Sequence, residues 1–138
     1  METAQAFAWL VSTMKADTAL IAAATGGIWQ GFADIGAVAP YALISQQAGN
    51  DMITMNARRL FSHLKMQLKA VGPATGYAAL VTIADRIDTL FGRVGPVSLT
   101  PGYVLSSYRE SPLSYEEIVS GVQYSHLGGI YHILLEAS

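Results

Sequence analysis

Between residues 58 and 92 the chain changes its hydrophobic period, and that change marks the centre of its architecture. Leu60, Leu64, Met66 and Leu68 alternate with Arg59, His63, Lys65, Gln67 and Lys69, the period of two expected of a strand with one buried face. Gly72-Pro73 breaks the run. Beyond it Tyr77, Leu80, Val81, Ala84, Ile87 and Phe91 recur every three or four residues, which predicts one stripe of an amphipathic helix ending at Gly92. The remaining segments are read as what packs against this strand and helix.

Residues 3–15 place Ala4, Phe7, Leu10, Val11 and Met14 on one helical face, with Ser12 and Lys15 off it. Asp17 is a suitable N-cap for a second, short helix through Leu20 and Ile21, stopped by Gly26-Gly27. Ile28-Trp29-Gln30 predicts a short strand. A Gly/Ala-rich loop with a lone Asp34 follows, and Pro40 introduces a strand over residues 41–46, at a position where proline is tolerated. Residues 48–57 read as a connection, with turn chemistry at Gly49-Asn50-Asp51. Met52, Ile53 and Met55 are apolar for backbone that should run over the surface, so this stretch either folds under the sheet or is covered by a partner. After the second long helix, Gly95, Pro96, Pro101 and Gly102 predict a loop or an irregular edge. Residues 103–109 read as a strand and Ser111-Pro112 as a turn, while 113–120 fit no single pattern. The final run changes phase: Val122 and Tyr124 are even, whereas Tyr131, Ile133 and Leu135 are odd. A bulge at Gly128-Gly129 would return both sets to one face.

This order of elements is α+β: an antiparallel sheet with two main helices on one face. The alternation of the long strand supports it, because a strand covered on both faces would be apolar throughout. No internal repeat or linker interrupts the 138 residues, so a single domain is expected.

Composition adds a constraint. The chain is 51% apolar and only 13% charged, against about 25% for an average soluble domain, which suggests that other subunits cover some of its surface. A membrane could do the same, but no apolar run approaches the roughly 18 residues of a spanning helix. Nor does the start resemble a signal peptide, with Glu2 at its head and Lys15 inside the apolar segment; an intracellular setting is the expectation. Absence of cysteine excludes disulfides, thiolate chemistry and Cys-based zinc sites. A net charge of -2 with a pI near 5.8 disfavours a general nucleic-acid binder. Distribution says more than the sum. Arg58, Arg59, Lys65 and Lys69 occupy a stretch with no acid between Asp51 and Asp85, whereas Glu110, Glu116, Glu117 and Glu136 follow Arg109 with no further Lys or Arg.

Catalytic chemistry finds no foothold. His63, His126 and His132 lack the spacing of a metal signature. Ser62 and His63 are strand neighbours on opposite faces, which rules out a direct nucleophile and base pair. No nucleophile elbow, P-loop or dinucleotide fingerprint is present, and the adjacent Glu116 and Glu117 diverge in extended chain as a solvated acidic edge. No catalytic, cofactor-binding or metal-ligating residue is assigned, and no enzyme is expected. The basic face of Arg59, His63, Lys65 and Lys69, with Phe61 among them, admits three readings: a nucleic-acid track, a solvated sheet face, or a subunit interface facing the acidic C-terminal strands. A charge-paired assembly would dissociate as ionic strength rises. Trp29, Phe32, Met52, Ile53 and Met55, each ordinary as a core residue, together suggest a partner surface in so weakly charged a chain. The candidate interface residues are therefore Met52, Ile53, Met55, Arg58, Arg59, Lys65, Lys69, Glu116 and Glu117.

The order of these signals resembles a known family. A first helix ending in Met14-Lys15-Ala16-Asp17, a segment from Leu20 to Gly27 leading into Ile28-Trp29, and a Gly-rich loop into Pro40-Tyr41 are similar to the start of the tail terminator (tail completion) proteins of long-tailed bacteriophages and their prophage relatives. The strand with His63-Leu64-Lys65-Met66, the Ala-rich helix from Ala78 to Phe91 and the strand with Tyr124-Ser125-His126-Leu127-Gly128 continue the likeness. It implies a small α+β subunit that assembles as a ring, typically a hexamer, at the head-proximal end of the tail. Such a ring ends polymerisation of the tail tube protein and offers a docking surface to head-neck connector proteins. DNA passes through its lumen without sequence-specific binding, and no cofactor is required. The implied location is the virion tail, assembled in the host cytoplasm. Other ring subunits, of the tube or neck, and a small α+β ligand-binding module stand as alternatives.

Overall fold

A computed structural model describes residues 2–33, 39–53, 55–56, 59–99 and 102–136. Helix α1 (Glu2–Ala16) and the short α2 (Thr18–Ala23) precede strands β1 (Ile28–Gln30), β2 (Tyr41–Ile53) and β3 (Arg59–Pro73). Helix α3 (Tyr77–Phe91) follows a single 3-10 turn at Ala74–Gly76. Two short strands, β4 (Arg93–Val94) and β5 (Val97–Ser98), lead into the long hairpin of β6 (Tyr103–Val119) and β7 (Val122–Glu136). The sheet runs β1-β2-β3-β7-β6-β4, with β5 also paired to β6. It curls into a half-barrel with both main helices packed on one face. Among the described residues only the β1–β2 pair is parallel.

Alternation in β3 places Leu64, Met66, Leu68 and Ala70 on the helix side, where they meet Ile44 of β2 and Tyr131, Ile133 and Leu135 of β7. Helix α1 contributes Ala6, Trp9, Leu10 and Met14, and α3 contributes Leu80, Ile83, Ile87 and Phe91. The edge-to-face contact of Trp9 and Phe91, with centroids 5.1 Å apart, joins the two helices over the sheet. Both helical stripes are rotated from the sequence expectation. Ala4, Tyr77 and Val81 are exposed, whereas Trp9 and Ile83 are buried. Polar ties complete the docking. Asp17 caps α2 by accepting from the Leu20 N–H and also receives two hydrogen bonds from Arg86 of α3, at 3.2 and 2.5 Å. That guanidinium holds the Asp17 carboxyl below the usual carboxylate range. Ser107 donates to the Phe91 carbonyl at 2.6 Å, fixing the end of α3 to β6.

Three connections differ from the sequence reading. Strand β2 does not stop near residue 46 but continues to Ile53, so Met52 and Ile53 are strand residues opposite Phe61 and Arg59. Strand β6 runs through Ser111-Pro112 without a turn, absorbing Glu110 as an extra residue between Arg109↔Tyr131 and Ser111↔Ile130. Pairing of β7 with β3 is unbroken from Phe61↔Glu136 to Pro73↔Tyr124, so β7 carries no bulge at Gly128-Gly129. The phase change in β7 arises because Tyr131, Ile133 and Leu135 face the core, while Val122 and Tyr124 belong to the opposite face. Gly128 serves close approach instead: a Cβ there would lie 2.1 Å from the Leu68 carbonyl oxygen and 2.5 Å from the Lys69 Cα. The Asp34 loop centre and Pro101 lie outside the described residues.

Gly128→Ala therefore forces β3 and β7 apart. A loss of at least the ~1–3 kcal/mol of core overpacking is expected by chemical denaturation, whereas Gly76→Ala, with nothing within 4 Å of the added methyl, changes stability little.

Candidate subunit interface

The helices cover only the middle of the sheet. From Gln46 to Ile53 every residue of β2 is exposed, whichever face it points to, and so is all of β6 from Ser114 to Val119. These two overhangs lie at opposite ends, because the β2–β3 hairpin tip is next to the end of β7 at Glu136, whereas the β6–β7 tip is next to Pro73 and Tyr124. The first overhang carries Met52, Ile53 and Leu60, with a fully exposed Met55 in the turn beyond. The second carries Ile118, Val119 and Val122 around a two-residue turn in which Ser120 and Gly121 both have positive φ (51° and 79°), the geometry of a tight hairpin. Ile118 is 76% exposed. Burying large apolar side chains from water is favourable by about 1.5–3 kcal/mol each, so both ends are candidate contact surfaces.

Sequence reasoning named the first end and missed Leu60, Ile118, Val119 and Val122. The Ser120-Gly121 dipeptide, between Ile118-Val119 and Val122, is the hairpin signal available in the sequence. Arg58 lies outside the described residues. Arg59 makes a 3.1 Å ion pair with the buried Glu2, tying the start of α1 to β3. Glu116 is exposed and receives hydrogen bonds from Gln123 and Ser125 across the hairpin.

On the sheet face away from the helices, the basic strand meets acids of its own subunit. Lys65 lies 3.3 Å from Glu110, the residue that the β6 bulge inserts. Glu110 also accepts from His132 Nε2 at 2.8 Å, and His132 Nδ1 lies 2.6 Å from His63 Nε2. Since a carboxylate only accepts, Nε2 of neutral His132 carries the proton, its Nδ1 accepts, and His63 Nε2 donates. Tyr108 stacks on the His132 ring at 4.9 Å. The His132 hydrogen bond and Lys65 hold the Glu110 carboxyl below its ordinary range. These groups form a chain rather than a converging set, and among the described residues no group of three or more His, Asp or Glu is placed to hold a metal ion.

Lys69 is buried. Its stem crosses the lane left open by Gly128, and Nζ hydrogen-bonds the Tyr115 hydroxyl and lies 4.9 Å from that ring's centroid. Tyr115 in turn stacks on His126 at 4.2 Å, and Glu117 lies 3.6 Å from His126 Nε2. Thus the basic face, read as a nucleic-acid track, a solvated face or a charged interface, has much of its charge met inside the subunit. Two shallow hollows, of about 200 Å³ beside Tyr41, Val71 and Tyr124 and about 230 Å³ beside Glu2, Asp51 and Arg59, lie near the two overhangs. Both are smaller than the roughly 300–1,000 Å³ of ligand sites. Among the described residues no helix is long and apolar enough to cross a membrane.

The architecture defines a class: an α+β fold with a curled sheet, two main helices on one face and two bare hairpin ends. Across 93% of its length the chain superposes, with a TM-score of 0.68 and 12% sequence identity, on 92% of a chain in a structure described as the virion of a native gene transfer agent (GTA) particle. At that identity the likeness shows a shared fold. No protein-family model and no curated protein sequence matches the chain.

Burial disfavours the charged form of His63 and of His126, so each holds its proton less tightly than an ordinary histidine. As the pH drops below about 6.5 these histidines bind more protons in the unfolded chain than in the folded one, so stability rises with pH through that window and is lost on acidification. Melting temperature should decline on acidification from pH 7.5, and His126→Phe, which keeps a ring against Tyr115, should flatten part of the slope; a melting temperature that rises on acidification contradicts this.

Proposed function

We propose that the chain is a structural virion subunit of the tail-terminator kind, closing as a ring on the head-proximal end of a tail tube. The observation that carries the reading is the full-length superposition on a chain of a gene transfer agent virion. The two apolar overhangs support it, because a subunit with different bare surfaces at opposite ends associates head to tail, and such association closes into a ring when the rotation per copy permits. The weak charge of the chain, 13% of residues, fits a protomer covered by neighbours beside, above and below. In this reading the ring ends growth of the tube protein, presents its other rim to the neck connectors, and conducts DNA through a lumen without reading sequence.

Met52, Ile53 and Met55 then form one side of the joint between copies, with Arg58, Arg59, Lys65, Lys69, Glu116 and Glu117 contributing around it. Apolar burial rather than charge holds that joint, since Lys65 and Lys69 already have partners in their own subunit. The same geometry serves another ring subunit of the tube or neck, and unlimited tubes formed by the isolated chain would identify a tube protein.

Ile53→Asp or Met52→Asp should leave the monomer folded, with unchanged circular dichroism, and abolish the ring in native mass spectra. A wild-type assembly that persists from low to high ionic strength fits the apolar joint; an Ile53→Asp variant that still runs at the wild-type mass removes it.

A further inference from the structure

Both edges of the sheet are open, and they are open at opposite ends. Short β1 covers β2 only as far as Ile44, which pairs with Gln30 and accepts from the Gly31 N–H. Beyond it, from residue 45 to 53, the outer edge of β2 has no partner strand among the described residues. On the other side, β5 and β4 cover β6 at residues 103–104 and 107–108, and Arg109 N–H reaches the Gly92 carbonyl. From residue 110 to 119 the outer edge of β6 is likewise without a partner strand among the described residues. Exposed edges are templates for further strands, and proteins that avoid such pairing block them with lysine, proline or short length. Neither stretch contains a lysine, and the one proline, Pro112, sits near the start of the β6 stretch and leaves 113–119 unblocked.

We propose that residues 113–119 of β6 in one copy pair with residues 45–53 of β2 in the next, so that a single sheet runs from subunit to subunit. This deepens the ring reading and rests on it, naming a second copy of the chain as the occupant of each edge. Strand direction fits: β2 and β6 run oppositely within the sheet, since each is antiparallel to its inner neighbour and those neighbours are antiparallel to each other. Copies related by rotation about an axis near the strand direction therefore present β6 to β2 antiparallel. The open stretches are offset along the strands, low on β2 and high on β6, so joining them tilts the strands against the ring axis, as closure of a sheet into a barrel requires. In this antiparallel register Val119 of one copy falls beside Ser45 of the next, and Leu113 falls beside the exposed Met52 and Ile53 of the neighbour's β2.

The chain has no cysteine, so introduced thiols report without background. Asn50, opposite His63, faces away from the helices, as do Leu113 and Glu117, which are opposite Gly128 and Tyr124. Full-length Asn50→Cys is mixed with Leu113→Cys or Glu117→Cys, assembled and oxidised, with Thr82→Cys on exposed α3 as the control partner. Covalent dimers are expected when Asn50→Cys meets at least one of the β6 variants, and not when it is alone or with Thr82→Cys. Dimers of Asn50→Cys with itself would show two-fold pairing of β2 and overturn the proposal. Absence of every mixed dimer while wild-type rings form would overturn edge pairing and leave the ring reading standing. A wild-type chain that stays monomeric in native mass spectra would remove both.

Discussion

The sheet is longer than the helical layer that covers it, and most of the molecule's character follows from that mismatch. On the core face a strand residue is protected where α1, α2 or α3 lies above it, and the burial of β3 shows the limits: both Arg59 and Leu60 at its start are exposed, while Leu64, Met66 and Leu68 are sealed. Where the cover stops, β2 and β6 project with side chains exposed on both faces. An isolated subunit would keep such ends polar. Here they bear Met52, Ile53, Ile118, Val119 and Val122, so the hydrophobic effect that builds the core also argues for neighbours at both ends.

The polar face works in the other direction, by satisfying charge internally. The β6 bulge swings Glu110 toward Lys65 and His132, and Gly128 lets Lys69 cross β7 to Tyr115. Both devices depend on local backbone: an extra residue in one strand and a missing side chain in the next. Buried or paired in this way, the cations of β3 are poorly placed to grip a nucleic acid, whose binding strength comes from cations free to meet phosphates.

Much of the fold was legible because period and punctuation were strong. The alternation of β3, the Asp17 cap and the helix ending at Gly92 all stand in the structure, as does the α+β class, whereas the second helix ends at Ala23 with Ala24 as its C-cap, ahead of Gly26-Gly27. The exact helix faces were not legible, since both Ile83 and Val81 are apolar and which of them turns inward depends on how α3 docks on the sheet. Strand length at the overhangs was hidden for a related reason. Residues 46–53 and 113–119 have no buried face, so they carry no alternation, and a strand without alternation reads as a loop. The bare β6–β7 end was missed on that account, whereas the β2–β3 end was noticed through its methionines. The intramolecular pairs of Lys65 and Lys69 needed the register of β3, β7 and β6, which composition cannot supply.

The central claim is that the bare ends join identical copies into a closed ring. Electron microscopy of the isolated, purified chain tests it most directly. Closed rings of uniform diameter, with an open lumen, are the predicted result. A field of monomers, or tubes that grow without limit, would contradict it.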